Sequence, residues 1–152
     1  MLFYFYKIIY FFKRILFRTF NLKTLGVRAL IIKDDQVLLV RHTYLKGWYL
    51  PGGGVDHSES PIQGIIREVR EEVGGMVIEP IRLLAVYYND KLGWDDYVLL
   101  YEVKLSYQQG QHDHEIAEVR WFNIHHLPEE ISSSTRKRID EHLFNLPRVD
   151  HW

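Results

Sequence analysis

The alternation of apolar and polar positions divides the chain into strand-length runs and two helices. The runs 26-GVRALII-32 and 37-VLLVRH-42 are rich in β-branched and aliphatic residues and are joined by the polar turn 33-KDDQ-36, a pattern that predicts two strands. From Pro61 the period lengthens to that of a helix, with Ile62, Ile65, Ile66, Val69 and Val73 recurring at three- and four-residue intervals. Its punctuation is explicit. Ser60 is a good N-cap, Pro61 suits the first helical position and Gln63 completes a capping box, while Gly74 and Gly75 supply a left-handed stop. The predicted helix therefore spans residues 61–73. Downstream, 81-IRLLAVYYND-90 and 96-DYVLLYEVKLSY-107 flank the turn-like 91-KLGWD-95 and predict a hairpin. A short strand over 117-AEVRWFNI-124 and a serine-capped amphipathic helix beginning near 133-SSTRKRIDEHLFNL-146 follow. This order predicts an α+β fold with a mixed sheet between helices.

No repeat, low-complexity tract or Pro/Gly/Ser linker divides the 152 residues, which suit one domain with a substantial core. The one break in composition lies near residue 24. Residues 1–24 carry Lys7, Lys13, Arg14, Arg18 and Lys23 and no acid, so the formal charge of -1 leaves the remainder at -6. An acidic body argues against general nucleic-acid binding, which calls for a basic face. Cysteine is absent, which excludes disulfides, thiolate metal sites and cysteine nucleophiles and is compatible with a reducing cytoplasm, the expected location.

The chemistry concentrates in 51-PGGGVDHSESPIQGIIREVREEVGG-75. Glu68, Glu71 and Glu72 stand at i, i+3 and i+4, so their carboxylates share one helix face although like charges at that spacing repel. Arg67 adjoins them and can orient one. Ahead of the helix, the glycines allow backbone to approach a ligand without side-chain obstruction. Oxygen ligands grouped in this way suit Mg²⁺ or Mn²⁺, which take a few carboxylates together with substrate phosphates.

These residues resemble the Nudix box, G-x5-E-x7-R-E-U-x-E-E-x-G-U, where U is a bulky apolar residue. Gly53, Glu59, Arg67, Glu68, Val69, Glu71, Glu72 and Gly74 fall in register, and Gly75 is the one departure. The approach 47-GWYLPGGG-54 and the later 115-EIAEVRWFNIHHLP-128 look like the family's entry to the glycine loop and its closing strand. The resemblance implies an α/β/α sandwich with a mixed, curved sheet over residues 25–152; residues 1–24 lie outside it and read as a basic, aromatic and helical segment. It also implies divalent-metal-dependent hydrolysis of a nucleoside diphosphate linked to another moiety, by water attack on phosphorus. Carried over by position, Glu68 and Glu72 are the main metal ligands, Glu71 shares or bridges, and the Gly52 carbonyl is a backbone ligand. Arg67 orients them, Glu59 anchors the loop from behind, and Gly53 and Gly54 lie against substrate. The general base varies among members; Glu115, opening the late strand, is the candidate and Glu118 the rival. A catalytically silent ligand-binding module is the alternative, for which loss of a ligand glutamate would be the sign, and none is lost. The proline and tyrosine that mark members acting on ADP-ribose or diadenosine polyphosphates are absent; Lys91, Leu92 and Gly93 occupy that zone. A nucleoside triphosphate derivative, a nucleotide sugar and a diphosphoinositol-type compound stay open as substrates.

Other features have two readings each. Arg41 and His42 end the strand before the glycine loop, where either reaches substrate phosphate or forms a solvated strand end. His112 and His114 flank Asp113, but without cysteine or an H-E-x-x-H helix a polar loop is favoured over a zinc site. Trp48, Tyr87, Tyr88 and Trp94 offer stacking surfaces for a base or plain packing. In 1-MLFYFYKIIYFFKRILFRTF-20, helical geometry at about 100° per residue brings Lys7, Arg14 and Arg18 within about 40° of one another. Lys7 interrupts the apolar run, which argues against a span of ~20 residues, and no small-residue cleavage site follows. Packing on the catalytic domain or in a homodimer is favoured over an interfacial helix on an anionic membrane.

Overall fold

The computed structural model describes residues 22–91, 93–108 and 112–152, together with Phe11, residues 15–17, Thr19 and Phe20. The expected clustering of Lys7, Arg14 and Arg18 lies outside the described residues, as do Lys13 and Leu92. Strands β1 (Lys23–Leu30), β2 (Ile32–Lys33) and β3 (Gln36–His42) precede helix α1 (Pro61–Val73). Strands β4 (Gly75–Asn89), β5 (Asp95–Gln108) and β6 (Ile116–Asn123) and helix α2 (Ser133–Leu143) follow. Among the described residues no helix is long and apolar enough to cross a membrane.

Among the described residues the strands pair as two sheets of three, ordered β1-β5-β4 and β2-β3-β6, the first of them mixed as expected. The pair β1 and β5 is parallel, from Lys23 opposite Asp95 to Leu30 opposite Glu102, while the β4–β5 and β3–β6 pairs are antiparallel. Segment 48–55 stitches the sheets together. Tyr49 exchanges both backbone hydrogen bonds with Val40 of β3, at 2.9 Å each. Farther along, Ala29 N–H donates to the Pro51 carbonyl (2.8 Å), Val27 N–H to that of Gly53 (2.9 Å), and Val55 N–H to that of Leu25 (2.9 Å). The glycine loop therefore runs as a bare strand beside β1.

Strand alternation places an apolar cluster on each side of the sheets. Val27, Ala29 and Ile31 pack with Leu38, Val40, Leu99 and Tyr101 under Ile65, Val69 and Val73 of α1. Leu30, Val37, Leu39 and Leu100 turn the other way, toward Trp48, Tyr87 and Ile139 of α2. The layers are thus helix, sheets, helix. Trp48 and Tyr87 are core residues of this second cluster, which removes them as free stacking surfaces.

Helix α1 follows its punctuation. Ser60 Oγ accepts from Gln63 N–H (3.2 Å), Gln63 Oε1 accepts from Ser60 N–H (2.9 Å), and Gly74 caps the far end at φ +66°. Gly75 departs from the expected stop and begins β4, opposite Gln108. A Cβ there would lie 3.0 Å from Leu105 Cδ2, a tight approach to that side chain, and Val77 packs on the core nearby. Strand β4 also starts before residue 81, because register shifts between Ile78 and Arg82 carry the pairing past Pro80. Ile62, expected to pack, stays exposed; the first turn meets Val55 and Glu59 through Gly64 instead.

Gly52 sits at φ +133°, and a Cβ on it would overlap the Val27 carbonyl oxygen, whereas a Cβ on Gly54 would meet open space. Gly52→Ala should therefore cost at least ~3 kcal/mol in urea unfolding, by pushing the stitch off β1. Gly54→Ala should cost less than about 1 kcal/mol. Equal losses at the two positions would contradict the close approach.

Candidate active site

A cleft of about 420 Å³ opens where segment 51–54 passes beneath α1. Glu68, Glu72 and Glu115 line it together with Gly52, Gly53, Gly54, Arg28, His42, Tyr44, Tyr49, Thr135 and Trp152. The helix delivers Glu68 and Glu72 because Ile65, Val69 and Val73, interleaved with them, are clamped into the core. Gly53 carries no Cβ, and one placed there would fall within the Glu68 carboxylate. Gly52 N–H donates to Glu72 Oε2 at 2.7 Å. Both glutamates thus rest on naked backbone, with only 12% of each side chain exposed.

Arg67 organises the acids around it. Nε donates to Glu59 Oε1 and Nη2 to Glu59 Oε2, both at 2.9 Å, a bidentate pair of the strong kind. Its Nη1 reaches Glu68 Oε1 (2.9 Å) and Glu71 Oε2 (3.2 Å), and Nη2 also donates to the Gly54 carbonyl (2.9 Å). The guanidinium's hydrogen bonds, with one from Asp56 N–H, hold the Glu59 carboxyl below the usual carboxylate range. Because Arg67 draws Glu68 and Glu71 toward itself, no three acid or imidazole side chains converge as a ready metal cage among the described residues.

Burial dominates the electrostatics of the other acids. It raises the Glu68 carboxyl and pushes Glu72 up to about 7, against the opposing hydrogen bond from Gly52 and the positive charge of Arg28. A buried carboxylate cluster lacking enough positive charge, set on backbone carbonyls and amides, is a donor set that fits a hard divalent cation. His42 lies with Nδ1 3.9 Å from Glu72 Oε1 and no hydrogen-bond partner for that nitrogen. Burial, then Arg28, lowers its pKa, so the ring is neutral at pH 7.

Glu115 enters the cleft from the loop before β6. Its carbonyl accepts from Thr43 N–H (2.9 Å), its carboxylate from Tyr44 Oη (3.5 Å), and the neighbouring Asp113 N–H donates to the Glu71 carbonyl (2.8 Å). Glu118, the rival, is turned away and paired with Arg41 and Arg120.

Arg41 is likewise a correction. Expected at substrate phosphate, it lies outside the cleft, pairing Nη2 with Glu118 Oε2 at 2.6 Å and stacking 5.5 Å from the Trp48 ring centroid. Next to it, across a register shift, His42 faces the cleft. The guanidinium that lines the site belongs to Arg28 of β1, which the sequence reading passed over although a charge inside the apolar run 26–32 was its signal. Tyr44, Tyr49 and Trp152 were also missed. His112 and His114 are exposed; His112 Nδ1 lies 3.2 Å from the Asp113 carbonyl and His114 N–H donates to Asp113 Oδ1 (3.0 Å).

The model of the NUDIX domain matches residues 22–143. A protein of Bacillus subtilis (strain 168) with a provisional name as an ADP-ribose pyrophosphatase is 40% identical over 65 residues, which are 43% of this chain and 31% of that protein. An RNA pyrophosphohydrolase of Acinetobacter baylyi is 29% identical over 128 residues, covering 82% of this chain and 68% of the relative. The chain therefore spans about a third of the first relative's length and two thirds of the second's. In three dimensions it is similar to the crystal structure of a MutT NUDIX hydrolase from Burkholderia pseudomallei, with a TM-score of 0.68, 25% identity, and 78% of this chain matched to 97% of that one.

The raised Glu72 carboxyl has a measurable consequence. Its ionisation is less favourable in the fold than in the unfolded chain, so the stability it contributes is full below about pH 4.5 and is lost as the pH rises through about 7. In a chelator, Tm should fall across that window and level off above it. Glu72→Gln, which never ionises, should flatten most of the slope. A wild-type Tm that rises from pH 4.5 to 7 under chelation would contradict the burial argument.

Proposed function

The chain belongs to the Nudix family, and from that premise we propose that it is a divalent-metal-dependent pyrophosphohydrolase acting on a nucleoside diphosphate linked to another moiety. The observation that carries the proposal is the meeting, in one cleft, of two buried carboxylates seated on bare glycine backbone with a third carboxylate and a guanidinium. The names of the two curated relatives, one tied to ADP-ribose and one to RNA, support a phosphoanhydride as the bond cleaved.

In this reading Glu68 and Glu72 hold the cation, Mg²⁺ or Mn²⁺, with Glu71 joining and the Gly52 carbonyl as a backbone ligand. Bound there, the ion supplies charge neutralisation for phosphate oxygens and orientation for water. The chain's own residues do the rest. Arg67, locked by Glu59, fixes where Glu68 and Glu71 stand. Gly54 leaves room for phosphate against the backbone beside Gly53, whose own space Glu68 takes, and Arg28 faces the phosphate's negative charge. Glu115 takes the proton of the attacking water as the new P–O bond forms and the anhydride P–O bond breaks.

Phosphate or pyrophosphate release over a panel of nucleoside triphosphates, nucleotide sugars and dinucleoside polyphosphates, with Mg²⁺ and with Mn²⁺, tests this reading. On the best substrate, Glu72→Gln should remove most turnover, and Glu115→Gln should lower kcat on the order of 10²-fold with metal affinity little changed. Glu118→Gln should leave kcat near the wild-type value. Full activity in Glu72→Gln, or no turnover on any substrate, would favour a silent binding module.

The same proposal extends to residues 1–20. Phe17 meets Trp94 with ring centroids 5.2 Å apart, whereas Ile15, Leu16 and Phe20 are each about half exposed or more, and a second copy of the chain is the occupant we favour for that apolar surface. Deleting residues 1–22 should convert a dimer to a monomer in solution-mass measurements without changing liposome co-sedimentation. Lost sedimentation at constant mass would point to a membrane surface instead.

A further inference from the structure

Arg138 and Glu141 of α2 are buried charges that the hydrolytic chemistry above leaves unused. Arg138 is 0% exposed; its Nη2 donates to Glu141 Oε1 (3.0 Å), and Tyr87 Oη donates to Glu141 Oε2 (2.9 Å). Burying such a pair is costly unless its geometry is well satisfied, so its placement needs a reason. The remaining contacts of Arg138 supply one. Nη1 donates to the His151 carbonyl at 3.2 Å, and the guanidinium lies 4.0 Å from the Tyr87 ring centroid and 5.5 Å from that of Trp152.

The Arg138 network thus grips residues 150–152. Tyr88 N–H donates to the Asp150 carbonyl (2.7 Å), Trp152 N–H to the Tyr88 carbonyl (2.9 Å), and Lys91 Nζ to the Trp152 carbonyl (3.1 Å). Trp152 meets Tyr87 edge to face, with centroids 5.5 Å apart at 67°. An indole fixed through both backbone and ring has its ordering cost already met, and Trp152 lines the cleft. Glu68 and Glu72 enter from α1 on one side of the sheets, whereas Trp152 packs with the cluster under α2 on the other. The cleft therefore has a carboxylate wall and an aromatic wall.

We propose that Trp152 is a specificity-determining residue, the platform on which the nucleobase of the substrate stacks while its phosphates meet the carboxylate wall. This inference rests on the hydrolase reading for the identity of the site, and it assigns the residue against which the base of that substrate lies. Stacking on one aromatic side chain changes affinity by roughly 5- to 150-fold, enough to select base-bearing pyrophosphates over those lacking a base. Arg138 and Glu141 act through Trp152 as positioning residues.

The test compares two probes on the full chain with Mg²⁺, adenosine monophosphate and inorganic pyrophosphate, by calorimetry and by quenching of tryptophan emission. In Trp152→Leu, which keeps apolar bulk but loses the flat ring, nucleotide affinity should fall at least about 10-fold while pyrophosphate affinity stays within about 2-fold. Trp152→Phe should restore much of the nucleotide affinity, and the wild-type quenching by nucleotide should be missing from the leucine variant. On a hydrolysed substrate, the leucine variant should raise KM with kcat nearly unchanged. A merely structural Trp152 would shift both probes together or neither, and either result overturns the proposal, as does the absence of nucleotide binding by the wild-type chain. Nucleotide binding that depends on Trp152 without hydrolysis of any substrate would sink the hydrolase reading and leave this one standing.

Discussion

A strip of backbone without side chains, over residues 52–54, is the constraint on which the rest of the site depends. One edge of the strip hydrogen-bonds to β1 and closes the gap between the two sheets. The other faces α1, where Gly52 N–H holds Glu72 and Gly53 leaves space for Glu68. Each job limits the other. The strip must lie close enough to β1 that a Cβ on Gly52 would strike the Val27 carbonyl oxygen, and that closeness sets how deeply the glutamates are buried. The apolar stripe of α1 completes the arrangement, because Ile65, Val69 and Val73 fix the helix at the height where its carboxylates touch backbone.

Two forms of positive charge compete for these acids. Arg67 holds Glu68 and Glu71 near itself and is in turn held by Glu59, so its position is fixed by a pair that faces away from the cleft. Glu72 has no such guanidinium; its nearest support is a backbone amide, and it carries the largest burial penalty of the acids at the site. Glu72 is consequently the acid with most to gain from an added cation, while Glu68 and Glu71 must loosen from Arg67 to join it.

Much of this was legible in the sequence where the determinants are local. The Ser60 cap, Pro61, the capping box and Gly74 specify α1 almost to the residue, and glutamate spacing alone puts three carboxylates on one face. Glu115 could be nominated because a strand start beside a polar loop is a natural place for a side chain to enter a cleft. Determinants set by tertiary contact were not legible. Alternation says that Arg41 and His42 face opposite sides of β3 but not which side opens, so Arg41 was nominated and Arg28 overlooked. The predicted strand begins at Ile81, whereas β4 starts at Gly75 and passes Pro80 through a register shift. Ile62 fits the apolar stripe, but the helix closes on its neighbour loop through Gly64. The split of the sheet and the place of Trp152 depend on segments far apart in sequence meeting at β1 and β4, and no short window contains both.

The hydrogen bond from Asp113 N–H to the Glu71 carbonyl ties the loop that carries Glu115 to the end of α1. On the other flank, β5 is pinned through Gln108 opposite Gly75, one residue beyond the helix cap. The tie between the Glu115 loop and α1 is made by main chain alone, so a side-chain substitution at Asp113 leaves Glu115 registered on the glutamates of α1.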